Sequence, residues 1–260
     1  MIRSSISLPG LSGKAALVTG GSRGIGRATV QLLGAAGARV GIAFRSDEEA
    51  AAGAAQLALS AGAKSAWSFA ADLSDPGQVE ALFGESDRQF GGELDLFVGN
   101  AGIWNEKPRP IVDLPPEEWA EMMAVNLTSV YLTTREAARR LGDGGRIVLV
   151  TSTAAQRGEA EHSHYAASKG AIQSFVKSLA VELGPAGITV NAVAPGWVDT
   201  DMSANVLRGG TRTVVEGEIP VRRIATPLDV AGPIVFLASS LARHVNGEVL
   251  NVNGGSVLCG

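Results

Sequence analysis

The sequence predicts an α/β fold: one doubly wound, seven-stranded parallel sheet with helices on both faces, in a single domain over residues 1–260. Three observations carry that expectation. Short apolar, β-branched runs recur along the chain, stretches of helical length separate them, and a glycine-rich turn joins the first run to the first such stretch. Strands apolar on both sides belong to a parallel sheet covered twice, and strict strand–helix alternation is what winds such a sheet in two directions. A chain of 260 residues with 45% hydrophobic content can bury the core this requires.

Taken in order, strands are expected at 15–19, 39–44, 66–70, 94–98, 146–151, 189–194 and 249–252. Helices are expected between them at 25–36, 47–61, 78–90, 117–141, 165–183 and 228–241. The alanine-rich segment near residue 50 is a helix and not a linker, because alanine is the strongest helix former. Ser46 with Glu49 three positions on reads as the capping box that starts it. Residues 197–224 hold three glycines and scattered charge, with no clear periodicity. A loop that long in a compact domain is usually functional, so it is expected to be a substrate lid.

Composition narrows the function. A formal charge of −4 and the lack of a Lys/Arg-rich block give no field for nucleic acid. No run of 18 apolar residues is present, and the first eleven residues lack the apolar core of a secretory signal, so no membrane partner and a cytoplasmic location are expected. The one cysteine, Cys259, excludes an internal disulfide and a thiolate metal site, and the three histidines lack metal-ligand spacing, so no metal is expected.

Two motifs carry chemistry. After the first strand comes Thr19-Gly20-Gly21-Ser22-Arg23-Gly24-Ile25-Gly26, opening a helix. Glycines let the backbone turn tightly and approach a pyrophosphate, while the helix N-terminus offers N–H donors to anionic oxygens. Further on, Tyr165 and Lys169 stand one helical turn apart, with Cβ atoms roughly 6 Å from each other. An ammonium beside a phenol should lower the phenol's pKa from about 10, making Tyr165 a candidate general acid/base.

The G-x-x-x-G-x-G spacing, with Asn100-Ala101-Gly102, Asn126, Ser152, the Tyr165/Lys169 pair and Pro195-Gly196, resembles the classical short-chain dehydrogenase/reductase family. The resemblance runs from Lys14 to Gly255 and is strongest to its 3-oxoacyl-carrier-protein reductase and glucose-dehydrogenase-like members. It implies a Rossmann-type domain that moves hydride between a nicotinamide and a carbonyl or secondary alcohol. Tyr165 would exchange the proton, and Ser152 would hydrogen-bond the carbonyl oxygen. Lys169 would tune Tyr165 and hold the nicotinamide ribose, and Asn126 would hold a water that relays protons from Lys169. Gly20, Ser22, Gly24, Ile25 and Gly26 would cradle the pyrophosphate. Asp72 and Leu73 would meet the adenine, and Asn100, Ala101 and Gly102 would lie beneath its ribose. Pro195 and Gly196 would belong to the cofactor site, and after them Val198 and Thr200 would bind the carboxamide and phosphate ends of the cofactor.

NAD sites carry an acidic residue at the end of the second strand, where this chain has Phe44 followed by Arg45 and Ser46. With Arg23 in the glycine turn, two guanidiniums and a hydroxyl could clamp a 2′-phosphate, so NADP(H) is expected, with NAD(H) possible. Trp104, Asn105, Ala154, Ala155, residues 159–164, Trp197 and the loop 199–218 are expected to face a small-molecule substrate. The resemblance also implies a homotetramer. Two alternatives remain at this point: a sugar or polyol dehydrogenase using NAD(P), or a non-catalytic dinucleotide sensor.

Overall fold

A computed structural model describes residues 8–208 and 210–258. Cys259 lies outside the described residues. Seven parallel strands form one sheet: β1 (Ala15–Thr19), β2 (Arg39–Phe44), β3 (Ser65–Ala70), β4 (Leu94–Gly99), β5 (Leu141–Val150), β6 (Thr189–Pro195) and β7 (Val249–Val252). Their spatial order is β3-β2-β1-β4-β5-β6-β7. The order reverses between β1 and β4, and this is where a doubly wound sheet opens a crevice beyond its carboxyl ends.

Apolar side chains on both sides of the strands explain why the sheet is covered twice. All residues of β1 and of β6 are buried. On one face, β-strand side chains pack with Val79 and Phe83 of α3 (Pro76–Phe90), Val130 of α5 (Ser129–Ala138) and Ile172 and Val176 of α7 (Ser163–Leu183). On the other they pack with Val30 and Leu33 of α1 (Gly24–Ala35), Ala54 of α2 (Glu48–Ala61) and Ile234 of α9 (Pro227–Ala238). Among the described residues no helix is long and apolar enough to cross a membrane.

Local signals set the helix starts. Asp75 accepts from the backbone N–H groups of Gly77 and Gln78, with Pro76 at the first helical position of α3. Thr226 and Asp229 form a reciprocal capping box at α9. The cap of α2 differs from the expected Ser46/Glu49 pair: Asp47 is the N-cap and accepts from Ala50 N at 2.9 Å. A carboxylate at that position satisfies a free N–H and meets the positive end of the helix dipole.

Two expectations on element boundaries need correction. The single helix expected over 117–141 is three pieces: α4 (Pro116–Met123), a π-helical turn (Ala124–Thr128) and α5, after which Leu141 already begins β5. The π turn contains Asn126, whose carboxamide is drawn into bonds with the loop after β4. The segment 197–224 is also not an irregular loop. It contains α8 (Thr211–Glu218), and a parallel bridge between Val198 and Ala225 closes its base. Leu207, Val215, Ile219 and Ile224 form a small apolar core of its own, against which Trp197 packs. The short α6 (Ala154–Arg157) completes the helices of the described residues.

Candidate active site

The carboxyl ends of β1 and β4 are riveted together. Thr19 Oγ1 accepts from the backbone N–H of Asn100 at 3.0 Å and of Ala101 at 3.1 Å. Asn100 Nδ2 returns bonds to the carbonyls of Thr19 at 3.0 Å and Gly20 at 3.1 Å. The glycine turn is therefore fixed to the sheet at the switch point. Gly26 lies so close under this turn that a Cβ would stand 2.1 Å from Gly20 O, which no side chain can tolerate. Arg23 is the N-cap of α1 but makes no side-chain cap bond, and the first turn carries no acidic residue. Its N–H groups are left for an external acceptor, as an anion site at a helix N-terminus requires.

A second group converges from β5 and α7. Thr151 Oγ1 donates to the Lys169 carbonyl at 2.8 Å, and Lys169 Nζ donates to the Val150 carbonyl at 3.0 Å. These bonds pin the helix carrying Tyr165 and Lys169 to the end of β5, where Ser152 accepts from Ala154 N at 3.1 Å. Asn126, wholly buried in the π turn, accepts from Ile103 N at 2.8 Å and donates to Ile103 O at 2.9 Å. Its Nδ2 also reaches Ser168 Oγ at 3.3 Å. A Cβ on Gly102 would meet Asn126 Oδ1 at 3.1 Å and Lys169 Nζ at 3.2 Å, so glycine there lets these two groups approach.

The electrostatics of the pair depart from the sequence expectation. Tyr165 is not lowered by Lys169. Burial pushes the phenol up to about 12, against the Ser152 hydroxyl, which lowers it, and with the Glu159 carboxylate, which raises it further. Burial also pulls Lys169 down to about 8. Spacing along a helix cannot reveal that Lys169 is buried and Tyr165 half-buried, and in this case desolvation outweighs the neighbouring charge.

Both groups open onto one cavity of about 510 Å3 that the glycine turn and the segment after Gly196 also line. Gly20, Ser22, Arg23, Gly24, Ile25, Arg45, Ser46, Asp72, Leu73, Asn100, Ala101 and Gly102 line it. Ser152, Tyr165, Lys169, Pro195, Gly196, Val198 and Thr200 line it as well, with Thr200 against Gly24 and Lys169 against Gly102. Gly26 and Asn126 stand behind the wall, where they shape it. Arg45 pairs with Asp72 at 3.2 Å, and Asp72 is held below the usual carboxylate range first by the hydrogen bonds from Ser74 and then by Arg45.

Of the residues expected to face substrate, Trp104, Glu159, Trp197 and, from the loop 199–218, Thr200, Asp201, Met202 and Ser203 reach the cavity. Asn105 does not; it bonds Glu118 at 3.2 Å and caps Lys107 N at 3.0 Å. Ala154 is buried in packing, and His162 is buried beneath Trp104, its ring stacked on the indole at 5.1 Å. His164 is wholly buried in α7, with its pKa lowered by that burial. Asp47, Thr153 and Arg157 line the cavity without having been assigned a place in it from the sequence. Arg157 closes a four-residue helix too short to leave a periodic signal.

Nineteen-twentieths of the chain finds relatives of known structure and name. A family model described as Enoyl-(Acyl carrier protein) reductase matches residues 20–256. The 3-oxoacyl-(acyl-carrier-protein) reductase of Vibrio cholerae is 38% identical, over 94% of this chain and 98% of its own length. An L-rhamnose 1-dehydrogenase (NAD(P)(+)) of Azotobacter vinelandii is 40% identical, over 93% of this chain and 96% of its own length. A short chain dehydrogenase from Burkholderia cenocepacia, solved in complex with NADP, superposes with a TM-score of 0.88 at 38% identity, over 95% of this chain and 98% of that one.

Proposed function

Because the chain belongs to the short-chain dehydrogenase/reductase family, we propose that it is an NADP(H)-dependent oxidoreductase acting on a ketone or the matching secondary alcohol. The observation that carries this reading is the convergence of Ser152, Tyr165 and Lys169 on the cavity that the glycine turn opens. The cofactor site fits on grounds of its own. Uncapped N–H groups of α1 and the close-packed Gly26 suit a pyrophosphate, and Arg23, Arg45 and Ser46 bring two guanidiniums and a hydroxyl where a 2′-phosphate would need them. Bound there, the nicotinamide supplies or accepts hydride.

The chain's own residues handle the proton and the oxygen. Ser152 donates a hydrogen bond to the carbonyl oxygen, stabilising its developing negative charge. Tyr165, with its pKa near 12 in the ligand-free site, carries its proton throughout the neutral range and gives it to that oxygen during reduction. Lys169, near 8, gives up a proton more readily than an ordinary ammonium and replenishes the phenol. Asn126, beside Lys169 across Gly102, keeps the helix and the Ile103 loop in register next to that route. The two-tryptophan mouth and the segment 197–224 form the lid.

The favoured substrate class is a 3-oxoacyl thioester or other ketone, by similarity to the Vibrio reductase. The similarity to an L-rhamnose dehydrogenase keeps a sugar or polyol oxidation as the second reading. For assembly we propose a cytoplasmic homotetramer; Tyr131 on α5 and Val181 on α7 expose apolar surface on the two helices it would use. NADPH and NADH oxidation measured against acetoacetyl thioester, diketones and keto-sugars, with glucose and L-rhamnose run in reverse, tests the reading. Ketone turnover favouring NADPH supports it. Sugar oxidation alone moves the assignment to the second reading, and absence of turnover with every substrate argues for a sensor.

A further inference from the structure

The chain is poor in aromatics, with four tryptophans in 260 residues, yet two of them face the same cavity. Trp104 and Trp197 lie with centroids 5.9 Å apart and planes at 85°, giving the cavity two aromatic walls at a right angle. Both walls are backed. His162, buried, stacks on Trp104 at 5.1 Å and 20°, and the lid's apolar cluster packs against Trp197. Backing of this kind fixes the rings before anything binds, so little ordering entropy remains to be lost on binding. Ordinary core packing would bury both indoles, whereas each stays partly exposed and lines the cavity that Ser152 and Tyr165 also line.

We infer that the substrate is a planar, conjugated or fused-ring carbonyl compound whose ring lies against one indole and meets the other edge-on. Both contacts are geometries that aromatic quadrupoles favour. An aliphatic chain of the same size would gain area burial but not these. Arg157 and Glu159 line the same cavity and offer both a donor and an acceptor to ring hydroxyls. The inference rests on the carbonyl-reductase reading and narrows its substrate.

The test compares 2-tetralone with 2-decalone, two bicyclic ketones that differ in having one aromatic ring. With NADPH, kcat/KM should favour 2-tetralone by roughly ten-fold, the size of an aromatic pairing in a preformed site. Trp104→Leu and Trp197→Leu should each bring that ratio close to one, mainly through KM for 2-tetralone. Trp104→Phe should keep most of the preference and guards against a folding defect. A wild-type ratio near one, or a ratio unmoved by both leucine variants, overturns the inference. Calorimetric binding of 2-naphthol against decahydro-2-naphthol supplies the second readout. Preference for naphthol that Trp104→Leu abolishes, in a protein that turns over no ketone, sinks the reductase reading alone. No preference in binding sinks the aromatic site even where ketones are reduced.

Discussion

Replacing Lys169 with methionine should stabilise the ligand-free protein near neutral pH while removing its activity. The wild-type ammonium is 4% exposed, and burial brings its pKa from 10.5 to about 8. The sign follows from which state binds more protons. Below pH 8 both states are protonated and the fold bears the cost of a buried charge. Between 8 and 10.5 the folded protein has released the proton and the unfolded chain has not, so wild-type stability rises with pH. A difference of about 2.5 pH units is worth about 3 kcal/mol. The variant also loses the bond from Nζ to the Val150 carbonyl, which costs about 1 kcal/mol. The net gain for the variant is about 2 kcal/mol at pH 7, and it should vanish near pH 10. Urea unfolding of both ligand-free proteins at pH 7, 8.5 and 10 reads this directly. Measurements stay at or below pH 10 because Tyr165, raised towards 12, contributes stability that is lost as pH climbs above its unfolded value of 10. A variant-minus-wild-type difference that does not change with pH would refute the reasoning, since it would mean that the Lys169 ammonium is as well solvated in the fold as outside it.

Other outcomes follow from the same geometry. Arg45→Ala should raise KM for NADPH by roughly ten- to a hundred-fold, the value of one or two charge-assisted bonds, with little change for NADH in steady-state assays. The substitution also frees Asp72 from its ion pair, so part of the loss should be recovered in Arg45→Lys. Gly26→Ala should abolish NADPH binding by fluorescence and lower Tm, because its Cβ would collide with Gly20 O at 2.1 Å and force the riveted turn off β4.

Much of the fold was readable because the central strands are largely apolar runs and every strand but the last is followed by a helix. The glycine turn was readable because its position between β1 and α1 tells what its glycines are for. What escaped depends on contacts far apart in sequence. Nothing in residues 117–141 announces a π turn; it arises where Asn126 is pulled to the backbone of Ile103, and such turns often mark functional sites. Helix α8 starts after Gly210, carries Gly217 in its last turn and buries only Val215, so few apolar residues announce it. The cap of α2 moved by one residue because Asp47 competes with Ser46 for the same role, and a carboxylate wins at a helix N-terminus. The Tyr165/Lys169 spacing reports proximity, whereas burial sets the direction of both pKa shifts, with Ser152 and Glu159 also acting on the phenol.

The most direct test of the central claim is NADPH oxidation with one ketone substrate by wild type and Tyr165→Phe, with NADPH affinity measured on the same samples. The account predicts that the variant binds NADPH within a factor of about two, while kcat falls by roughly a hundred- to ten-thousand-fold, the range for losing a positioned proton donor. A Tyr165→Phe protein that reduces the ketone at the wild-type rate would contradict it, because the phenol at the centre of the site would then have no part in the chemistry.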